Sequence, residues 1–187
     1  MSPIALNPLP LMRALTLVAA LALLALVAGS GAPTAEARGS CTKTGVAGKR
    51  SDRIKIDSAR RAVRCLINDE RSARNLGLNG ALNLAAQRHS RKMFKKNCFS
   101  HDCPGEPGTV QRIREAGYLN GASSYRVGEV IALNRDRATP REIVRQWKNS
   151  PGHRAQILSS GYEHIGVGVV AKRGKAFYTV TLGAKSG

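Results

Sequence analysis

Acidic and aromatic side chains are what this chain has least of: 12 Asp and Glu stand against 30 Lys and Arg, and aromatics make up 4% of 187 residues. The first shortage leaves a formal charge of +18, a field that draws anionic wall polymers and lipid headgroups. The second removes the rings on which unpaired bases stack, which argues against nucleic acid as a partner. There is no Gly-rich phosphate loop, no Ser in a nucleophile elbow and no His-Glu-x-x-His helix, so three common enzyme signatures are absent. Internal repeats are absent too. Past Ala28 no apolar run is long enough to cross a bilayer, so no transmembrane segment is expected in the mature chain.

The one long apolar run, Ala14 to Ala28, follows Arg13 and is closed by Gly29, Gly31 and Pro33. It is short for a membrane span. Ala35-Glu36-Ala37 then supplies the small residues that a signal peptidase reads, placing the cut after Ala37. A retained anchor is the alternative. The expected organisation is a signal peptide over 1–37, an extended arm over 38–55 rich in Gly, Ser, Thr and charge, and one domain over 56–187, in a secreted, extracytoplasmic protein. Arg13 and Glu36 cancel, so the exported part carries the whole charge excess.

All four cysteines, Cys41, Cys65, Cys98 and Cys103, fall in the exported part, and an even count there argues for two disulfides. Three pairings are possible. The closeness of Cys98 and Cys103 favours a small ring around Phe99-Ser100-His101-Asp102, leaving Cys41 to tether the arm to Cys65. A ring that short stabilises less than the roughly 3 kcal/mol of a longer loop, so its use is local shape. A zinc site is the alternative, but C-x4-C without a second close pair fits zinc patterns poorly.

Ala59, Val63, Leu66 and Ile67 recur at helical spacing from about Asp57, with Cys65 expected on the buried stripe, the Arg residues facing away and a stop near Asn75 and Gly77. Asn79-Gly80 turns into a second helix with Leu82, Ala85, Ala86, His89 and Met93 on one face and Arg88, Arg91, Lys92, Lys95 and Lys96 on the other. His89 is thereby expected to face the core. A loop with Pro104-Gly105 and Pro107-Gly108 leads to a short helix from Val110 to Ala116, which Gly117 caps. Val127 to Ala132 is an apolar patch carrying one carboxylate, Glu129, a short strand or the entry to one. Thr139-Pro140-Arg141-Glu142 is a capping box for a helix that buries Ile143, Val144 and Trp147. Ser150-Pro151 starts another, with His153 in its first turn. His164 to Val170 and Ala176 to Leu182 form an antiparallel hairpin. Helices first and strands last indicate an α+β fold.

Five segments in order, Cys65-Leu66-Ile67-Asn68-Asp69-Glu70-Arg71, Ala85-Ala86-Gln87-Arg88-His89-Ser90, Phe99-Ser100-His101, Val127-Gly128-Glu129 and Trp147-Lys148-Asn149-Ser150-Pro151-Gly152-His153-Arg154, together resemble a bacterial CAP domain. That superfamily comprises the cysteine-rich secretory, antigen 5 and pathogenesis-related proteins, and Ile165-Gly166-Val167-Gly168 resembles its late strand. The resemblance covers Ile56 to Gly183. It implies an α–β–α sandwich with a central antiparallel sheet, and a cleft lined by two His and two acids. Residue by residue it makes His101 and His153 the cleft histidines and Glu129 the first acid. The second acid is replaced by Ser150.

Two imidazoles and a carboxylate match the ligand types of an open divalent-cation site, zinc or magnesium. Without a metal, His101, Glu129 and His153 form an acid–base set, but no nucleophile is committed to either His. The expected function is a non-enzymatic envelope or extracellular binding module with a cation-binding cleft. Its alternatives are a metal-dependent hydrolase of peptide, lipid or wall polymer, and a polycationic adhesin for anionic wall polymers or lipids.

Overall fold

The computed structural model describes Cys41 and residues 45–135, 138–172 and 174–187. The expected signal peptide and part of the arm, 38–40 and 42–44, lie outside the described residues. The elements, in chain order, are α1 (Ile56–Glu70), β1 (Gly77–Leu78), α2 (Gly80–Lys96), α3 (Thr109–Glu115), β2 (Ser124–Asn134), α4 (Pro140–Lys148), α5 (Pro151–Leu158), β3 (His164–Lys172) and β4 (Lys175–Ser186). A short 3-10 turn, Ser51–Arg53, precedes them.

The helices form where apolar residues recur at helical spacing, and each buries the stripe so defined. Ala59, Ala62, Val63, Leu66 and Ile67 of α1 are buried, as are Leu82, Ala85, Ala86, His89 and Met93 of α2. Asn79 caps α2 by accepting from the N–H groups of Ala81 and Leu82 at 3.0 and 3.1 Å, a contact worth about 1 kcal/mol. At α4, Thr139 Oγ1 accepts from Glu142 N at 3.1 Å. The other half of the expected capping box is not used, because the Glu142 carboxylate turns to Arg145.

Three expectations change. α1 ends at Glu70, before Asn75, because Arg71 takes extended backbone and buries its guanidinium, which donates to the carbonyls of Ile157 and Ser159 at 2.9 and 2.8 Å. Cys65 is half-buried, held at the edge of the stripe by its bond to Cys41. The apolar patch around Val127 is part of an 11-residue strand, because β4 offers it a continuous antiparallel ladder from Ser124↔Ser186 to Asn134↔Ala176. Inside the arm, Ala47 and Ser51 are buried, Ser51 Oγ meeting the Tyr178 hydroxyl.

Among the described residues the strands make one sheet, ordered β1-β3-β4-β2. β3, β4 and β2 are antiparallel; the two-residue β1 adds a parallel pairing to β3. Alternate residues face opposite layers. On one side Val130, Val167, Val180 and Leu182 pack with α1, α4 and α5 through Val63, Ile67, Ile143, Trp147 and Ile157. On the other, Ile131 and Phe177 meet Met93 of α2, Thr179 bonds Ser90, and Thr181 bonds the carbonyl of Leu82. The result is the α–β–α sandwich. Gly166 and Gly168 let α2 lie directly on β3: a Cβ at either would come within 2.1 Å of the α2 backbone at Leu82 or Ala86.

Candidate functional site

Among the described residues β2 is the last strand of the sheet, with β4 on one side and no strand on the other. Glu129 sits on β2 and faces the α2 and α3 layer. Its side chain is 3% exposed. Both carboxylate oxygens accept from Nη2 of Arg112, on α3, at 2.9 and 2.8 Å, and Oε1 also accepts from Thr109 Oγ1 at 3.2 Å. Arg112 donates from Nη1 to the carbonyls of His101 and Pro107 at 3.0 and 2.7 Å. The guanidinium thereby clamps the Cys98–Cys103 loop onto the strand.

His101 lies inside that disulfide ring, and Nδ1 is 2.8 Å from Glu129 Oε1. Nδ1 is therefore the protonated nitrogen, and Nε2 is left for the open side of a ring whose side chain is 46% exposed. The bond to Glu129 raises the His101 pKa above its usual value, against a smaller opposing effect of burial. Burial pushes Glu129 up, but the His101 bond and the Arg112 charge outweigh it and hold the carboxyl below the usual range. His153, in the first turn of α5 and half-buried, is shifted the other way, down, by burial and then by the charge of His101. The two cleft imidazoles are thus tuned apart.

Behind Glu129, His89 faces the core as its helical spacing predicts, and it joins Glu106 to the network. His89, fully buried on α2, places Nδ1 2.8 Å from Glu106 Oε2, and Nε2 faces Glu129 Oε1 at 3.8 Å without a hydrogen-bond partner among the described residues. Glu106 Oε1 is in turn 3.8 Å from Arg112 Nε. Glu106, Arg112 and Thr109 went unremarked, although one signal was present. In a chain so poor in acids, a Glu in a loop rich in Pro and Gly is a conspicuous partner for a buried base.

The structure brings His101 and Glu129 into contact and leaves His153 on α5, out of hydrogen-bond contact with either but within the field of the His101 charge. Among the described residues the only three His, Cys, Asp or Glu ligand atoms within 4.8 Å of one another belong to Cys41, Cys65 and Asp69. Both of those cysteines are spent in a disulfide, so that group is not a metal site. Cys98 is bonded to Cys103. Ser150, in the place of the absent second acid, makes no side-chain cap bond at α5. Trp147 is buried and donates to the Ile131 carbonyl at 2.9 Å. Tyr118, Tyr162 and Tyr178 are core residues, whereas Tyr125 is exposed. His164 pairs with the Tyr118 hydroxyl at 3.1 Å.

The model of the cysteine-rich secretory protein family, CAP, matches residues 60–182. The chain is 36% identical over 109 residues to the Bacillus subtilis protein YkwD, spanning 56% of this chain and 40% of that protein. An extracellular protein containing an SCP domain from Bacillus anthracis superposes with a TM-score of 0.57 at 27% identity, over 69% of this chain and 43% of that one. An outer surface protein of Borrelia burgdorferi, 18% identical, shares the fold with a TM-score of 0.61 over 71% of this chain and 97% of its own. The chain spans less than half the length of either Bacillus protein.

Proposed function

The chain belongs to the cysteine-rich secretory protein (CAP) family, and we propose that it is an extracytoplasmic binding module whose cleft, between His101 and His153, takes a ligand rather than turning one over. The observation that carries this is the commitment of Glu129. Its carboxylate is buried and holds Arg112, Thr109 and His101, so it is withdrawn from solvent and committed to positioning those three side chains. Neither Ser100 nor Ser150 is hydrogen-bonded to an imidazole among the described residues, so no activated nucleophile stands beside the pair. The disulfides and the extracellular nature of relatives support the location.

A divalent cation here would have to be held by two imidazoles, because His101, Glu129 and His153 do not bring three ligand atoms within 4.8 Å of one another. The imidazoles of His101 and His153 would hold it, and Glu129 would act from behind His101, fixing its tautomer as carboxylates do for metal-bound histidines. Such a cation would supply a Lewis-acidic anchor for an anionic group. Zinc suits two imidazoles better than magnesium, which favours oxygen ligands. Calorimetric titration of the metal-stripped protein with zinc tests the reading. Saturable binding that disappears in His101→Ala/His153→Ala is expected. Binding unchanged in that variant, or turnover of a peptide, ester or wall substrate that the variant abolishes, would overturn it.

The charge of +18 and the exposed Arg88, Arg91, Lys95 and Lys96 of α2 favour a second, additive role in ionic attachment to anionic wall polymers or lipids. Such attachment is salt-sensitive and independent of the cleft histidines.

A further inference from the structure

Where β2 ends, beyond the Ile131 carbonyl to which Trp147 donates, an open groove of about 480 Å³ lies between the last residues of the strand and the α4–α5 joint. That volume lies within the about 300–1,000 Å³ of small-molecule sites. Its walls carry Asn134, Arg135, Arg145, Gln146, Asn149 and Ser150. Leu133 is the single apolar residue lining it, and no aromatic does. Ser150, on that joint, sits three residues before His153 in the sequence.

We propose that this groove is a subsite for a short oligosaccharide bearing carboxylates. An amide side chain offers both a carbonyl acceptor and an N–H donor, the complement of a sugar hydroxyl, which also does both. The amides of Gln146 and Asn149 and the hydroxyl of Ser150 in one groove are therefore suited to a polyol. A phosphodiester polymer presents only acceptors at its anions and would leave the amide oxygens facing like dipoles, and an acyl chain would find a single apolar side chain, Leu133. The two guanidiniums supply forked donors that match a carboxylate. Arg145 is paired with Glu142, on the groove wall, and a sugar carboxylate competes with that exposed partner. The inference rests on the cleft being a binding site, which it extends by naming the ligand class.

The test is calorimetric binding of two probes to the full chain at low and at 0.5 M salt: tetragalacturonate, carboxylated on each ring, and chitotetraose, which is neutral. Tetragalacturonate is expected to bind more tightly, to retain saturable binding at high salt, and to weaken at least tenfold in Gln146→Ala/Asn149→Ala. Both of those residues are exposed, so the fold tolerates the change. Arg135→Gln/Arg145→Gln is expected to erase the preference for the carboxylated probe. Binding that the groove variants leave intact, binding that vanishes entirely at 0.5 M salt, or no binding of either probe overturns the proposal. The cleft reading is separated by His101→Ala/His153→Ala. Loss of zinc binding there with oligosaccharide binding kept supports both readings as distinct subsites, whereas zinc binding kept and oligosaccharide binding lost only in the groove variants overturns the cleft reading alone.

Discussion

Arg112 Nη2 donates to both oxygens of Glu129, at 2.9 and 2.8 Å, with the two side chains 4% and 3% exposed. A buried ion pair of this kind contributes little net stability when intact, yet removing one partner strands the other charge in a low dielectric.

Arg112→Met is therefore expected to lower unfolding free energy by about 3–5 kcal/mol, measured by urea denaturation. Arg112→Lys should recover only part of it, because one ammonium cannot reach two carboxylate oxygens and the carbonyls of His101 and Pro107 together.

The His101–Glu129 contact makes stability depend on pH in a defined window. His101 titrates higher folded than its ordinary 6.5, so its contribution is fully present below pH 6.5 and is lost as pH rises through the folded value. Glu129 titrates lower folded than its ordinary 4.5, so its contribution is present above 4.5 and is lost as pH falls through the folded value. The stability difference between the native chain and His101→Ala should be largest between these limits and shrink towards pH 9. Denaturation midpoints collected across pH check it; a difference that grows above pH 8 would contradict the assignment.

Ser150→Glu places a carboxylate at the N-cap of α5, one turn from His153. A negative charge beside α5 is expected to raise the His153 pKa, reversing the present downward shift caused by burial and His101. Nuclear magnetic resonance titration of the ring protons reads this directly.

Gly168→Ala would place a Cβ 2.1 Å from the Ala86 carbonyl oxygen. The backbone of α2 cannot yield as a side-chain tip can, so destabilisation at or beyond the upper end of the about 1–3 kcal/mol of overpacked sites is expected. Gly80→Ala, at the open start of α2 with nothing within 4 Å, should change the melting temperature little. The pair of melting curves separates packing from backbone entropy.

The two disulfides should differ in what their loss does. Cys41 and Cys65 close a separation of 24 residues, Cys98 and Cys103 one of 5, which chain entropy makes worth about 3 and about 2 kcal/mol. Cys98→Ser/Cys103→Ser should cost less stability than Cys41→Ser/Cys65→Ser but should release His101, seen as a drop of its raised pKa toward that of a free imidazole.

What the sequence determined by itself is what local patterning can carry. The buried stripes of α1 and α2, the caps at Asn79 and Thr139, the β3–β4 hairpin, the favoured cysteine pairs and the order of five motifs are all properties of residues close along the chain. Helical and strand periods report which face of one element meets the core. What the tertiary structure alone decided is which buried charges meet. Arg112 reaches Glu129 across 17 positions and His101 reaches it across 28, while His89 and Glu106 complete the network from α2 and a loop. No periodicity marks such partners, because a buried ion pair is set by the packing of three separate segments and not by the spacing within any one. For the same reason no helical period marks the burial of Arg71, whose guanidinium is held by the carbonyls of Ile157 and Ser159 at the end of α5.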